Sequence, residues 1–168
     1  MTAREIMTTD DPNGESIPSR WVRAPRIRHL DRRQIEFLLA RNHLGRLVYV
    51  AEERIEVRPV HYVYAQGAIL GRTSAIERIA GARTPPEVAF EIDEADSLFR
   101  WRSVIVRGPF AILHERDSSG EDTSYRAALD AIRSLMPGAF TERDPTPERG
   151  MIFRIEPREI TGREAGSH

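Results

Sequence analysis

The stretch from Leu44 to Phe110 constrains the fold of this chain more than any other feature, because it contains one strand-like segment after another. In most of these segments apolar and polar residues alternate, which is the pattern of a strand with one buried face. The predicted strands cover residues 44–50, 54–64, 68–72, 87–93 and 101–113, and a last one covers 151–156. Many short strands with few helices predict a mainly β protein, a closed or nearly closed antiparallel barrel with flanking helices.

Turn-forming residues separate these strands. Ala65-Gln66-Gly67 predicts a hairpin between the second and third strands. Pro85-Pro86 interrupts the chain before the fourth strand. Pro109 lies inside the fifth strand, which indicates an edge or a bend there, because proline cannot donate a hydrogen bond to a strand ladder.

The first predicted helix follows Asp31, a suitable N-cap that forms a capping-box-like pair with Gln34. Gly45 lies just past its predicted end. Its apolar stripe consists of Ile35, Leu38 and Leu39.

Two further helices are predicted. One spans 123–136, with Thr123 as cap and Pro137-Gly138 as stop. Its apolar face consists of Ala128, Ile132 and Leu135. A shorter helix is predicted over 75–82, where Ser74 can act as the cap.

Composition narrows the class of protein. The chain has 168 residues, which fits one domain over 20–163 between a disordered tail over 1–19 and a C-terminal tail over 164–168. It contains no Cys and no Lys, which excludes disulfides, thiolate nucleophiles and lysine Schiff bases. The net charge of −1 argues against a nucleic-acid partner. No window approaches the ~20 apolar residues of a membrane span, so we expect a cytoplasmic protein that does not bind membranes.

The run from Arg20 to Arg33 is a local exception to this charge balance. It could be an arm for an anionic partner, or a segment that lies over the body or over a partner subunit. The second interpretation is favoured, because acidic residues balance the rest of the chain.

Several kinds of catalytic site find no support in the sequence. No GxGxxG, P-loop or GxSxG motif occurs. The five His residues have no close metal-ligand spacing, so no metal site is expected. No catalytic residue can be named from these patterns.

One strand-turn-helix segment has the composition of a phosphate site. Arg72, Thr73 and Ser74 lie where a strand ends and a helix is predicted to begin, and backbone N–H groups are unpaired at such a point. Arg78 lies one helical turn after Ser74 and can reach the same anion. The alternative is ordinary capping by Ser74 with a solvated Arg78, and spacing alone favours it.

Two strand segments could hold a flat ring beside that phosphate. Pro59-Val60-His61-Tyr62 offers a wall and polar contacts, and its alternative is an edge strand. Trp101-Arg102-Ser103-Val104 offers an aromatic ring, a cation and a hydroxyl, and its alternative is a plug at the barrel end.

In this order the segments resemble the pyridoxamine 5'-phosphate oxidase-like FMN-binding split-barrel family, including its small nitroimidazole-resistance type. The resemblance covers roughly residues 27–163. The segments that carry it are His43-Leu44-Gly45-Arg46-Leu47, Pro59-Val60-His61-Tyr62, the turn with Thr73, Ser74 and Arg78, Val88-Ala89-Phe90-Glu91-Ile92-Asp93, Trp101 with Ser103 and Val104, and Ile160-Thr161-Gly162-Arg163.

The resemblance implies a six-stranded antiparallel split β-barrel and a homodimer with FMN at the subunit interface. It further implies electron transfer from a reduced nicotinamide to a small-molecule acceptor, as in an FMN-dependent oxidoreductase. The implied cofactor-binding residues are Arg58, Pro59, Val60, His61, Tyr62, Arg72, Thr73, Ser74, Arg78, Trp101, Arg102, Ser103 and Val104.

Two departures from the family pattern leave alternatives open. Ile76 and Glu77 replace a Gly-Thr pair in the phosphate turn, and Glu77 would repel a phosphate if it pointed inward. The alternative cofactor is therefore the deazaflavin F420. The alternative functions are those of a flavin-binding module without turnover and of a cofactor-free interaction protein. The C-terminus lacks the family's substrate-binding RL-x-P pattern and reads Ile155-Glu156-Pro157-Arg158 instead. A true pyridoxamine phosphate oxidase is therefore not expected.

Overall fold

A computed structural model describes residues 26–74, 86–117, 120–121 and 123–166. The predicted N-terminal tail, the predicted helix over 75–82 and Arg78 lie outside these ranges. No helix within them is long and apolar enough to cross a membrane.

The described part of the chain forms ten strands and two helices. The strands are β1 (Arg26–His29), β2 (Leu44–Ala51), β3 (Arg54–Ala65), β4 (Ala68–Thr73), β5 (Glu87–Ser97), β6 (Arg100–Leu113), β7 (Arg116–Asp117), β8 (Gly120–Glu121), β9 (Met151–Ile155) and β10 (Glu159–Gly166). The helices are α1 (Arg32–Arg41) and α2 (Thr123–Leu135).

Six of these strands close into an antiparallel ring in the order β6-β5-β2-β3-β4-β9, with β9 pairing back to β6. Strands β10 and β1 extend from the same long strand β6. Residues 101–107 of β6 pair with β10, whereas residues 110–113 pair with β9. The sheet therefore splits along β6, and the predicted six-stranded split β-barrel is confirmed.

Pro109 lies where β6 changes partners, in agreement with the predicted edge or bend. Pro109 has no N–H group to donate, but its carbonyl oxygen accepts a hydrogen bond from Glu156 N at 3.3 Å. The neighbouring Gly108 packs so closely against the chain that an added Cβ would lie 1.9 Å from Glu156 O. Gly108 and Pro109 therefore allow the connection between β9 and β10 to pass close to β6.

Helix α1 begins as predicted. Asp31 accepts a hydrogen bond from Gln34 N at 2.8 Å, and the Gln34 side chain accepts one from Asp31 N at 2.9 Å. The helix ends at Asn42, whose backbone N–H and side-chain amide both bond to Leu38 O. Gly45, predicted just past the helix end, lies in β2, where an added Cβ would be 2.2 Å from the Phe90 ring.

The main core fills the ring and includes the predicted apolar stripe of α1. A smaller core lies between α2 and strands β4 and β9, and it contains Ala128 and Ile132 of the predicted face. Leu135 is exposed instead, because the helix ends there. The sheet includes residues 164–166, which sequence analysis assigns to a tail, and Ala165 is buried.

Candidate functional site

The residues singled out from the sequence fall into two groups. One group surrounds the end of β4, and the other lies at the start of β6. Each group borders a cavity in the size range of small-molecule sites.

The first cavity, the β4 pocket, has a volume of about 320 Å³. Strand β4 ends at Thr73, between β3 and β9. In the observed registers Tyr62 pairs with Gly71 and Met151 pairs with Thr73. The pocket lies just past this strand end and is lined by Arg58, Pro59, Val60, Arg72, Thr73, Ser74 and Arg149.

Arg72 is engaged by the protein itself. Its guanidinium is 4% exposed and forms an ion pair with Asp144, at 2.6 Å from Nη2 to Oδ2. Its other donors bond to Asp144 Oδ1, Arg149 O, Thr146 O and Met136 Sδ. Its guanidinium carbon lies 4.2 Å from the centre of the Phe140 ring. All five N–H groups of this arginine are therefore used without a ligand.

Asp144 is held just as firmly. Its carboxylate accepts hydrogen bonds from Phe140 N at 2.7 Å and Thr146 N at 2.9 Å, in addition to those from Arg72. The hydrogen bond from Arg72 holds the pKa of Asp144 far below its usual range, and the backbone N–H groups of Thr146 and Phe140 act in the same direction. The segment 136–150, which we call the clamp loop, is thus fastened to β4.

The hydroxyls of the turn differ in what they can offer a ligand. Thr73 is buried, and its Oγ1 donates to Ser74 O at 2.9 Å, so this hydroxyl braces the turn. Ser74 is exposed at the mouth of the β4 pocket. Of the two, Ser74 is the hydroxyl placed to meet a ligand.

Arg149 is a pocket residue that sequence reasoning missed. It lies two residues before Met151, in a loop with several other charges. The one signal in the sequence is its position just before the last predicted strand. Because that signal does not say which strand is the neighbour, only the β4–β9 pairing brings Arg149 to the end of β4.

The β3 residues face in alternating directions. Arg58, Pro59 and His61 are exposed, whereas Val60 and Tyr62 are buried. Tyr62 donates its hydroxyl to Leu39 O at 2.9 Å, and burial raises the pKa of this hydroxyl. Its ring meets Phe90 edge-on at 4.8 Å. Tyr62 is thus part of the core, and Arg58 and Pro59 are the β3 side chains available at the β4 pocket.

The second cavity, the β10 pocket, has a volume of about 380 Å³ and is lined in part by Trp101 and Arg102. Arg102 donates to Glu164 at 3.1 Å, and Arg28 contacts the same carboxylate. Burial opposes ionisation of Glu164, but the hydrogen bonds from Arg102 and Arg28 bring its pKa below the usual value. Val104 is buried in the core.

The basic run is only partly described, from Arg26 onward. Arg28 pairs with Glu164, and Arg32 pairs with Glu36 at 2.5 Å. These contacts belong to the body of this chain, which agrees with the favoured interpretation for this part of the run.

The two pockets are separated within one chain. Trp101 lies at the start of β6, whereas β6 reaches β9, the neighbour of β4, only at residues 110–113. The nine residue steps from 101 to 110 correspond to roughly 30 Å along the strand at ~3.3 Å per residue. One chain therefore does not bring Trp101 against the β4 pocket.

The outer face of β2 and β3 is apolar. Cross-strand pairing places Val50 opposite Ile55 and Val48 opposite Val57 on this face. Val50, Ile55 and Val57 are all exposed. Further along β3 on the same face, Pro59 pairs with the exposed Arg46 of β2 and lines the β4 pocket. A contiguous exposed apolar patch of this kind marks an interaction surface.

The fold and the arrangement of pockets define a split-barrel protein with its candidate site at a strand end and beside an apolar face. The sequence model for pyridoxamine 5'-phosphate oxidase matches residues 31–164 of this chain. The chain belongs to the pyridoxamine 5'-phosphate oxidase family. No curated protein sequence matches the chain significantly.

Solved structures share the same fold. A FAD-binding protein from Mesorhizobium loti is 23% identical, with a TM-score of 0.65 over 83% of this chain and 99% of that one. The FAD-binding protein from Mycobacterium smegmatis is 24% identical, with a TM-score of 0.58 over 83% of this chain and 100% of that one. A candidate 5-nitroimidazole antibiotic resistance protein from Bacteroides thetaiotaomicron is 17% identical, with a TM-score of 0.62 over 84% of this chain and 89% of that one.

Proposed function

We propose that this protein is a flavoprotein that binds FMN with the phosphate in the β4 pocket. The observation that carries the proposal is the donor set at this strand end. Arg58 and Ser74 line the pocket and have no carboxylate partner among the described residues. A phosphate monoester, with about −1.5 to −2 charges, suits such a set of guanidinium and hydroxyl donors.

The residues present fit a flavin nucleotide in two further respects. Pro59 supplies an apolar wall beside the pocket, and the pocket volume of about 320 Å³ leaves room for more than the phosphate itself. Arg72 contributes by holding the pocket together, since its donors are already used.

FAD is the second candidate cofactor. The first two structures compared above are described as FAD-binding proteins. Because FMN and FAD share the flavin, the ribityl chain and the first phosphate, the same donors suit either. The second phosphate and the adenosine of FAD would have to lie outside the donor set described here.

A homodimer completes the proposed site. The exposed apolar face of β2 and β3 is the surface that we propose for dimerisation, because its burial is favourable and it borders the β4 pocket. A two-fold symmetric dimer uses the same patch on both subunits. Trp101 and Ser103 would then come from the partner to the ring end of the flavin, since in their own chain they lie at the end of β6 that is remote from β9 and β4.

The proposed activity is transfer of electrons from a reduced nicotinamide to a small-molecule acceptor. When bound, a flavin supplies this two-electron chemistry. The residues of this chain that would hold the flavin are Arg58 and Ser74 at its phosphate and Pro59 at its ring, and the proposed interface, with the partner's side chains, would exclude water. The expected setting is the cytoplasm, where reduced nicotinamides are available.

The absorption spectrum of the full-length protein tests this proposal. The protein is incubated with excess FMN, FAD or F420, desalted, and its visible spectrum recorded. We expect flavin bands with one flavin per chain, and oxidation of NADH or NADPH when quinone or nitroaromatic acceptors are added. Retention of F420 alone, or of no cofactor, would refute the flavoprotein proposal. Retention of flavin without turnover would reduce the function to flavin binding.

A further inference from the structure

The ends of the two strands beside β4 bring a second cation to the β4 pocket. Strands β3 and β9 pair with β4 on its two sides, and Arg58 lies in β3 whereas Arg149 lies two residues before β9. Both side chains line the pocket. The pocket is thus flanked by one arginine from each neighbouring segment.

Arg149 is held at this position through its backbone. Its carbonyl accepts the Nε–H of Arg72 at 3.0 Å, and Arg72 is in turn fixed by Asp144. The side chain of Arg149 remains 32% exposed. Its nearest carboxylate is that of Glu148, at 4.0 Å, and this carboxylate is itself largely solvated. A contact at that distance in solvent contributes little.

The charge balance in the pocket favours an anion. Asp144 neutralises Arg72, whereas Arg58 and Arg149 bring two positive charges without a close carboxylate partner among the described residues. The two guanidinium groups repel each other, and an anion bound between them would offset this repulsion by attracting both. Their planar forks suit bidentate contacts to phosphate oxygens.

We propose that Arg149 binds the phosphate of the ligand together with Arg58, and that Asp144 acts as a positioning residue for Arg149 through Arg72. The inference rests on the proposed function in taking this phosphate as that of the flavin nucleotide. It adds a ligand residue from the clamp loop, whose sequence carries no phosphate-binding motif.

The test compares FMN with riboflavin, which has the same ring but no phosphate. Dissociation constants are measured by fluorescence titration for the full-length wild-type protein, Arg149→Gln and Arg58→Gln. Arg143→Gln is the matched control, because Arg143 is an exposed arginine of the same loop that does not line the pocket. We expect the first two variants to bind FMN at least tenfold more weakly, with riboflavin affinity unchanged, since a hydrogen bond to a charged group is worth about 1.5–3 kcal/mol.

Two outcomes would overturn the inference. One is an Arg149→Gln variant that binds FMN as tightly as Arg143→Gln does. The other is an equal loss of FMN and riboflavin affinity, which would assign Arg149 a structural role. In both, the flavin still binds the wild-type protein and the proposed function stands.

A wild-type protein that binds neither flavin would instead refute the proposed function. The anion site is then tested with inorganic pyrophosphate, measured as the rise in Tm on addition. A rise in the wild-type and Arg143→Gln proteins, absent in Arg149→Gln, would support the two-arginine site without a flavin. No rise in the wild-type protein would overturn it.

The positioning role of Asp144 has its own readout, the ratio of FMN to riboflavin affinity. If Asp144 acts through Arg149, Asp144→Asn lowers this ratio in the wild-type background and leaves it unchanged in the Arg149→Gln background. A purely structural role would lower both affinities in parallel and leave the ratio unchanged. Asp144→Glu is the second variant, in case the asparagine variant does not fold.

Discussion

Replacing Ile55 by Asp tests whether the apolar face of β2 and β3 is the dimer interface. Ile55 exposes 75% of its surface in the single chain. Full burial of such a side chain contributes about 1.5–3 kcal/mol. Burial of the exposed part in both subunits therefore contributes about 2.3–4.5 kcal/mol per dimer, and its loss raises the dimer dissociation constant roughly 40- to 2,000-fold.

This increase in the dimer dissociation constant is a lower limit for Ile55→Asp. The substituted carboxylate would also be desolvated in the interface, next to its symmetry-related copy or to apolar side chains. The assay is sedimentation equilibrium over a range of protein concentrations, with far-ultraviolet circular dichroism to show that the variant remains folded.

Phe37→Asp is the matched control, because Phe37 is an apolar side chain 62% exposed on α1 rather than on this face. We expect wild type and Phe37→Asp to be dimers under conditions where Ile55→Asp is a monomer. Flavin affinity should fall together with dimerisation, since the proposed site takes residues from both subunits. The reasoning is refuted if Ile55→Asp remains as dimeric as the wild type, or if the wild type is itself monomeric.

Three further predictions concern the barrel and its helix. Gly45→Ala should lower the free energy of unfolding by about 1–3 kcal/mol in urea titrations, because the added Cβ would lie 2.2 Å from the Phe90 ring. Phe90→Leu in the same chain should recover part of this loss. Equal stability of Gly45→Ala and wild type would contradict the packing. Tyr62→Phe should lower the free energy of unfolding by about 0.5–1.5 kcal/mol, because the hydrogen bond to Leu39 O is lost, and FMN affinity should stay unchanged. A fall in FMN affinity would instead assign Tyr62 to the site. The hydrogen bond from Arg41 lowers the pKa of Glu94 in the folded protein, so this group stabilises the fold above its unfolded pKa of about 4.3 and loses that contribution as the pH falls through the folded value. Glu94→Gln should therefore flatten the acid side of a plot of the urea midpoint against pH, and a curve parallel to that of the wild type would argue against the pair.

The local elements of this fold follow from the residues themselves. Asp31 and Gln34 form the predicted capping box, because both partners lie within one turn of the helix. Each of the predicted strands lying within the described ranges is present, with ends that differ by a few residues. The ordered set of motifs also led to the split barrel, which the resemblance implied and the ring of six strands confirms.

Four strands were not predicted as such: the two-residue strands β7 and β8, and the strands β1 and β10 of the main sheet. β1 lies in the basic run, and all four of its residues are exposed, so it has no alternation of apolar and polar residues. β10 was noted only through its family motif, Ile160-Thr161-Gly162-Arg163. β10 pairs with residues 101–107 of the long strand β6, and β1 pairs with β10, so each depends on a partner from a distant part of the chain.

The sequence alone determined the capped helix, the succession of strands and the hairpin at Ala65-Gln66-Gly67, because these depend on residues near one another along the chain. Only the tertiary structure decided which of 25 arginines serve a pocket. The sequence predicted Arg72 as a phosphate ligand, but in the structure its guanidinium is bound by Asp144, which lies far along the chain. Arg149 is a candidate ligand because the pairing of β9 with β4 brings it to the pocket. The physical reason is that an arginine binds whichever acceptor the fold brings within reach, and strand pairing brings residues together without regard to their distance in sequence.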